Sequence, residues 1–134
     1  MIDGGLRPLF RKHIPGFWTA IESGSTSAGI PDAHVIFNNG FSCWIEFKNI
    51  KANAVTLRPH QVAWLLRYTR LGGHAFIAIR RRDTLFIFSG FDATRLADKG
   101  IKNATPLFVT EKPWDWVNVR ATILSGAART LQNS

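Results

Sequence analysis

The sequence predicts a mixed α/β or α+β fold: a sheet of about five strands with helices packed against it. Three observations carry that expectation. Apolar residues recur at every second position through two runs, 32–37 and 41–49, that flank the turn residues Asn38-Asn39-Gly40. A helical stripe, Leu57, Gln61, Trp64, Leu65 and Tyr68, follows them. A second strand pair, 74–80 and 84–88, then surrounds the turn Arg81-Arg82-Asp83.

In chain order, a short helix is expected over 6–13, where Pro8 fits an early turn. Residues 17–23 read as a strand, and 24–29, Gly-Ser-Thr-Ser-Ala-Gly, as a small-residue loop. The two alternating runs follow as paired strands. Thr56 can cap a helix running to about Leu71, with Pro59 in its first turn and Gly72-Gly73 as its stop. After the second strand pair, 92–98 reads as a short helix. Trp114, Val117, Ala121 and Leu124 fall at the spacing of a terminal helix. The expected organisation is one domain over 1–134 with a flexible tail over 126–134.

The 134 residues are 46% hydrophobic with a mean hydropathy of −0.02, enough for a core and too apolar for a disordered chain. A formal net charge of +8 favours a polyanionic partner, nucleic acid being the commonest. One cysteine excludes an internal disulfide, and Cys43 falls on the apolar side of its strand. No apolar run reaches the ~20 residues of a membrane span, and Arg7, Arg11 and Lys12 interrupt any leader-like stretch. A cytoplasmic protein without membrane contact is expected. The four histidines show no zinc spacing, and no phosphate-binding glycine loop is present.

The chemistry concentrates at Asp32, Glu46 and Lys48. A two-residue hairpin loop would set Asp32 opposite Phe47. A three-residue loop, with Gly40 at positive φ, sets it opposite Glu46. The alternation selects the second register. One face then carries Ala33, Val35, Phe37, Phe41, Cys43, Ile45 and Phe47. The other carries Asp32, His34, Ile36, Ser42, Trp44, Glu46 and Lys48. Ile36 and Trp44 are expected to half-bury this second face. Two carboxylates suit Mg²⁺ or Mn²⁺, and a neighbouring ammonium can sit on a phosphate. Gln61, the polar member of its helix stripe, can hydrogen-bond Glu46, a bound water or a phosphate. Arg67 and Arg70 on the helix and Arg80, Arg81 and Arg82 at the second hairpin are candidates for a phosphate track, with Lys51 and Arg58 beside them. The bland alternative is a surface salt bridge on a solvated sheet.

The series Glu22, Gly29-Ile30-Pro31-Asp32, Glu46-Phe47-Lys48 and Arg58-Pro59-His60-Gln61 resembles the PD-(D/E)xK nuclease superfamily. More narrowly it is similar to the stand-alone VRR-NUC nucleases of viruses and bacteria, relatives of the archaeal-type Holliday-junction resolvases. The motif-bearing resemblance covers 17–79. It implies a restriction-endonuclease-like sheet and a Mg²⁺- or Mn²⁺-dependent endodeoxyribonuclease. Asp32, Glu46 and the Phe47 carbonyl would bind the metal, Lys48 would activate the attacking water, and Gln61 would support them. Many relatives place an acid on the first helix, where this chain has none; Glu22 would replace it or contribute from a dimer partner. Ser25, Thr26 and Ser27 would contact DNA. The substrate implied is branched DNA, most specifically a four-way junction cut by a homodimer in a bacterial cell, virus-encoded or not. The alternatives are a nickase or flap-type nuclease, and a DNA-binding module that keeps the fold without cutting.

Overall fold

The computed structural model describes residues 3–21 and 29–126. Its six strands form one sheet in sequential order: β1 (Phe17–Ala20), β2 (Ala33–Ile36), β3 (Ser42–Asn49), β4 (Ala75–Arg81), β5 (Thr84–Ser89) and β6 (Phe108–Glu111). Every neighbouring pair is antiparallel except β3 and β4, which run parallel. A parallel pair needs a crossover, and the helix α2 (Pro59–Arg70) provides it. The other helices are α1 (Leu6–His13), α3 (Ala93–Lys99) and α4 (Trp116–Leu124). The mixed sheet flanked by helices agrees with a restriction-endonuclease-like architecture.

Two apolar layers sandwich the sheet. On one face Leu6 and Phe10 of α1 and Val119 and Ile123 of α4 pack on Val35, Cys43, Ile45, Phe47 and Ala78. On the other, Leu65 of α2 and Ala93 and Leu96 of α3 pack on Ile77, Ile79 and Phe88. Each large aliphatic or aromatic side chain so buried contributes roughly 1.5–3 kcal/mol. The central strands are thus sealed from water where the helices lie over them.

The hairpin register is the one the alternation demands. Ala33 faces Ile45, Val35 faces Cys43 and Ile36 faces Ser42. Extending that ladder by one residue sets Asp32 opposite Glu46. Asn38-Asn39-Gly40 closes the hairpin, with Gly40 at φ 86° and the Phe37 N–H donating to the Phe41 carbonyl at 2.8 Å. The expected core face is buried except for Phe41, which is half-buried. On the opposite face Trp44 is half-buried, but Ile36 is exposed, because none of the described helices covers that part of the sheet.

Four details differ from expectation. The sheet has a sixth strand, β6. Helix α2 begins at Pro59 with Arg58 as its N-cap, not Thr56; Val55 and Leu57 are buried on either side of exposed Thr56, so that stretch is extended and anchored by its side chains. Helix α4 begins at Trp116, with the Asp115 carboxylate accepting the Asn118 N–H at 3.1 Å. Its buried residues are Val119 and Ile123, whereas Val117 is 79% exposed. Trp114 instead precedes the helix, and its indole N–H donates to the Asp83 carbonyl at 2.7 Å. Strand β1 ends at Ala20, with the Ile21 N–H still donating to the Asp32 carbonyl at 2.8 Å; residues 22 and 23 of the expected strand and the expected tail beyond Gly126 lie outside the described residues. No described helix is long and apolar enough to cross a membrane.

Candidate active site

The site forms where the start of β2, the end of β3 and the first turn of α2 meet. β3 gives Glu46 and Lys48 to one face by simple alternation, and Phe47 to the other. The Lys48 ammonium lies 3.4 Å from Glu46 Oε2. The Gln61 side-chain N–H₂ donates to the same oxygen at 3.2 Å. Gln61 is itself oriented, because its Oε1 accepts the Arg58 backbone N–H at 2.9 Å. A capping interaction at the helix start therefore aims an amide at the buried acid.

Asp32 enters from the neighbouring strand. Its Oδ2 accepts the Phe47 backbone N–H at 2.9 Å, which ties it across the ladder beside Glu46. Its Oδ1 lies 3.5 Å from Arg7 Nη2. The preceding glycine explains how this segment reaches its place. Gly29 has φ 80°, and a Cβ there would lie 2.2 Å from the His60 carbonyl oxygen. Only glycine lets the loop backbone rest on the first turn of α2, which docks Pro31 and Asp32 next to Gln61.

Glu46 is 3% exposed. Burial, followed by the Asp32 charge, pushes its carboxyl from an ordinary 4.5 up to about 7, although Lys48 opposes the rise. A carboxylate at once buried and beside a second acid is relieved by a cation. The donor set consists of hard oxygens, which fit Mg²⁺ or Mn²⁺, and Asp32, Glu46 and the Phe47 carbonyl are the groups able to hold one. Among the described residues no group of three or more His, Cys, Asp or Glu side chains gathers. Glu22, expected as a further acid, and Ser25, Thr26 and Ser27, expected at DNA, lie outside the described residues.

The basic candidates divide by position. Lys51 and Arg58 are exposed just beyond β3 and at the α2 cap. Because β3 and β4 are parallel, with Asn49 opposite Arg80, the Arg80-Arg81-Arg82 turn lies at the same end of the sheet as Lys48. Two of its three arginines are engaged within the chain. Arg80 donates to the Gly4 and Arg82 carbonyls, both at 2.8 Å, and Arg81 to Asn53 Oδ1 at 2.9 Å. Exposed Arg82, at φ 55°, projects from the turn. Arg67 and Arg70 are exposed but about 9 and 13 Å farther along the helix than Gln61, so they are not part of the cluster. Cys43 is fully buried, and burial pushes its thiol up to about 12, as befits a core residue.

One neighbour lies outside the sequence-based expectation. Arg7 reaches Asp32 from α1, although in sequence it stands only as a charge interrupting an apolar stretch. The available signal is its spacing of three from Phe10, which puts the two on one helix face; Phe10 packs on Phe47, its ring 5.0 Å away.

The family model for the archaeal Holliday junction resolvase (Hjc) matches residues 16–107. That span runs from β1 to just short of β6 and contains Asp32, Glu46, Lys48 and Gln61. No curated protein matches the chain.

Proposed function

The chain belongs to the archaeal Holliday junction resolvase (Hjc) family, and from that premise we propose that it is a divalent-metal-dependent endonuclease that binds four-way junction DNA as a homodimer and nicks opposing strands by phosphodiester hydrolysis. The observation that carries this reading is the cross-strand pair Asp32 and Glu46 with Lys48 at 3.4 Å from Glu46. A buried acid with its carboxyl raised to about 7, beside a second acid and an amine, is the arrangement expected of a reaction centre rather than of a surface ion pair.

Asp32, Glu46 and the Phe47 carbonyl hold Mg²⁺ or Mn²⁺ in this reading. Such a cation, when bound, lowers the barrier to water attack and neutralises charge on the phosphate. Lys48 orients the attacking water and stabilises the negative charge that develops on the phosphate oxygens. Gln61 holds the Glu46 carboxylate in one orientation, which spares that reorganisation during reaction. Glu22 serves as an additional acid, and Ser25, Thr26 and Ser27 meet the DNA backbone. The net charge of +8 favours association with a polyanion, with Lys51, Arg58 and Arg82 nearest the reacting phosphate. Two copies related by a two-fold axis would supply two such centres, matching two nicks on strands of opposite polarity.

The test is cleavage of a synthetic four-way junction, a flap and a linear duplex in Mg²⁺ or Mn²⁺, with products mapped on all strands. Paired nicks confined to opposing strands of the junction are expected. Asp32→Ala and Glu46→Ala should abolish them while junction binding persists. Preference for the flap or the linear duplex would overturn the resolvase assignment; binding without any cleavage would favour a non-catalytic junction-binding protein.

A further inference from the structure

The end of the sheet that carries Lys48 continues sideways to a corner that the proposed reaction leaves idle. There β6 and the segment leading into α4 dock on the Arg81-Arg82-Asp83 turn. This segment follows residue 107, where the family match ends. One carbonyl holds it: that of Asp83 accepts the Lys112 backbone N–H at 3.0 Å and the Trp114 indole N–H at 2.7 Å. The Thr84 hydroxyl adds a bond to the Glu111 carboxylate at 2.8 Å. The turn is also braced by Arg80, whose Nε donates to the Arg82 carbonyl at 2.8 Å. The backbones of Arg82 and Lys112 are therefore fixed beside one another.

The charges at this corner are poorly matched. Arg80 and Lys112 stand over the same buried indole, 5.1 and 5.5 Å from its centre. The ring attracts each cation and so gathers two like charges. Asp83 offers Lys112 only a 4.0 Å contact, with the two side chains 47% and 74% exposed. An ion pair that long and that wet holds little. In all, Arg80, Arg81, Arg82 and Lys112 face two acids, Asp83 and Glu111. Arg80 and Arg81 are spent on the Gly4 carbonyl and Asn53. Arg82 and Lys112 are the exposed cations that remain. Both lie at the same end of the sheet as Lys48, since Asn49 pairs with Arg80 and Thr84 with Glu111. From β3 to β6 is three strand spacings, roughly 14 Å. Cations spread over that distance suit an extended polyanion rather than a lone anion.

We infer that Lys112 is an outlying grip on the DNA, carrying the contact surface past Arg82: its ammonium takes a backbone phosphate of the duplex arm that leaves the reaction centre, about four base steps from the phosphate at Lys48. Trp114 is its positioning residue, tying the segment to the turn and drawing the ammonium toward Arg80. The inference rests on the nuclease reading for the identity of the polyanion. No bond is made or broken at Lys112, whose contribution is charge and reach.

The test compares wild type with K112M, which keeps the aliphatic stem over Trp114 and removes the charge. K112R retains the charge, and K12A removes one from the exposed last turn of α1, away from this corner. Binding to a synthetic four-way junction is measured in EDTA across roughly 50–200 mM NaCl, which needs no cleavage. Losing one phosphate contact should flatten the plot of log affinity against log salt by about 0.9 in K112M, while K112R and K12A run parallel to wild type. A neutral methylphosphonate is then walked along one arm. Wild type should lose affinity at a phosphate about three to five steps from the nick, and K112M should be indifferent there. Single-turnover cleavage at saturating protein should be unchanged in K112M, because the contact touches no reacting atom. K112Q replaces K112M should thermal unfolding show that methionine perturbs the fold. A wild-type salt slope in K112M, or an equal flattening in K12A, would overturn the inference and leave Lys112 as a partner of Trp114 and Asp83 alone. If wild type cuts nothing, the nuclease reading fails, and the salt slope still decides whether Lys112 grips a phosphate.

Discussion

Replacing Glu46 by Gln should make the protein more stable at pH 8 while destroying its proposed activity. The magnitude follows from the site. Burial and the Asp32 charge raise the Glu46 carboxyl from 4.5 to about 7. The native state therefore binds the proton more tightly than the unfolded chain between those values. Stability must fall as pH climbs through that window, and above about 7 the full cost is present. At 1.36 kcal/mol per pKa unit the cost is about 3 kcal/mol. The carboxamide of Glu46→Gln would be isosteric with the protonated acid, and its oxygen could still accept the Gln61 N–H. The variant should therefore gain about 3 kcal/mol at pH 8 and nothing at pH 4. For a chain of this length that is roughly 10 °C in Tm. Urea or thermal unfolding at pH 4, 6 and 8 reads the difference directly. Adding Mn²⁺ at pH 8 should raise the wild-type Tm and leave the variant's where it was, since a bound cation offsets the same cost. Parallel pH profiles for the two proteins would refute the claim that Glu46 is a strained acid.

Four further outcomes are expected. Metal affinity should weaken about tenfold for each pH unit below 7, as protons compete for Glu46; calorimetric titration of DNA-free protein with Mn²⁺ at pH 6, 7 and 8 measures this. Gln61→Ala removes both the hydrogen bond to Glu46 and the acceptor for the Arg58 N–H; it should cost about 1–2 kcal/mol in denaturant unfolding and slow cleavage more than it weakens junction binding. Gly29→Ala should destabilise by at least about 2 kcal/mol and impair cleavage, because its Cβ would strike the His60 carbonyl. Gly40→Ala, at φ 86° but with open space around its Cβ, should cost about 1–2 kcal/mol and leave the cleavage rate intact.

The sequence was most legible where two independent constraints agreed. Around Asn38-Asn39-Gly40 the turn chemistry and the face alternation chose one register, and that register set Asp32 opposite Glu46. Gln61 was legible as a polar residue breaking an apolar stripe. Legibility failed where tertiary packing overrode local preference. Thr56 is a better cap than Arg58 by side-chain chemistry, but burial of Val55 and Leu57 holds its segment extended until Pro59. The stripe from Trp114 misled because Trp114 is buried as a loop residue, bonded to Asp83, and the helix behind it presents Val119 and Ile123 instead. Strand β6 left little trace: on this sheet edge only Thr110 of Phe108–Glu111 is buried, so no apolar alternation marks it. Arg7 escaped notice because its link to Asp32 joins elements distant in sequence, which no local pattern encodes.

The single parallel pairing in the sheet has a consequence for the order of events in folding. Asp32, Glu46 and Lys48 lie on one hairpin closed by a short loop, and such hairpins form in roughly 1–10 μs. The pairing of β3 with β4 has to wait for α2 to traverse the sheet, a slower, non-local closure. Glu46 therefore meets water throughout the early stages and is dehydrated only when α2 docks. The two acids are assembled first and sealed last. The sealing step, rather than the making of the hairpin, is the one that proton and cation concentration control.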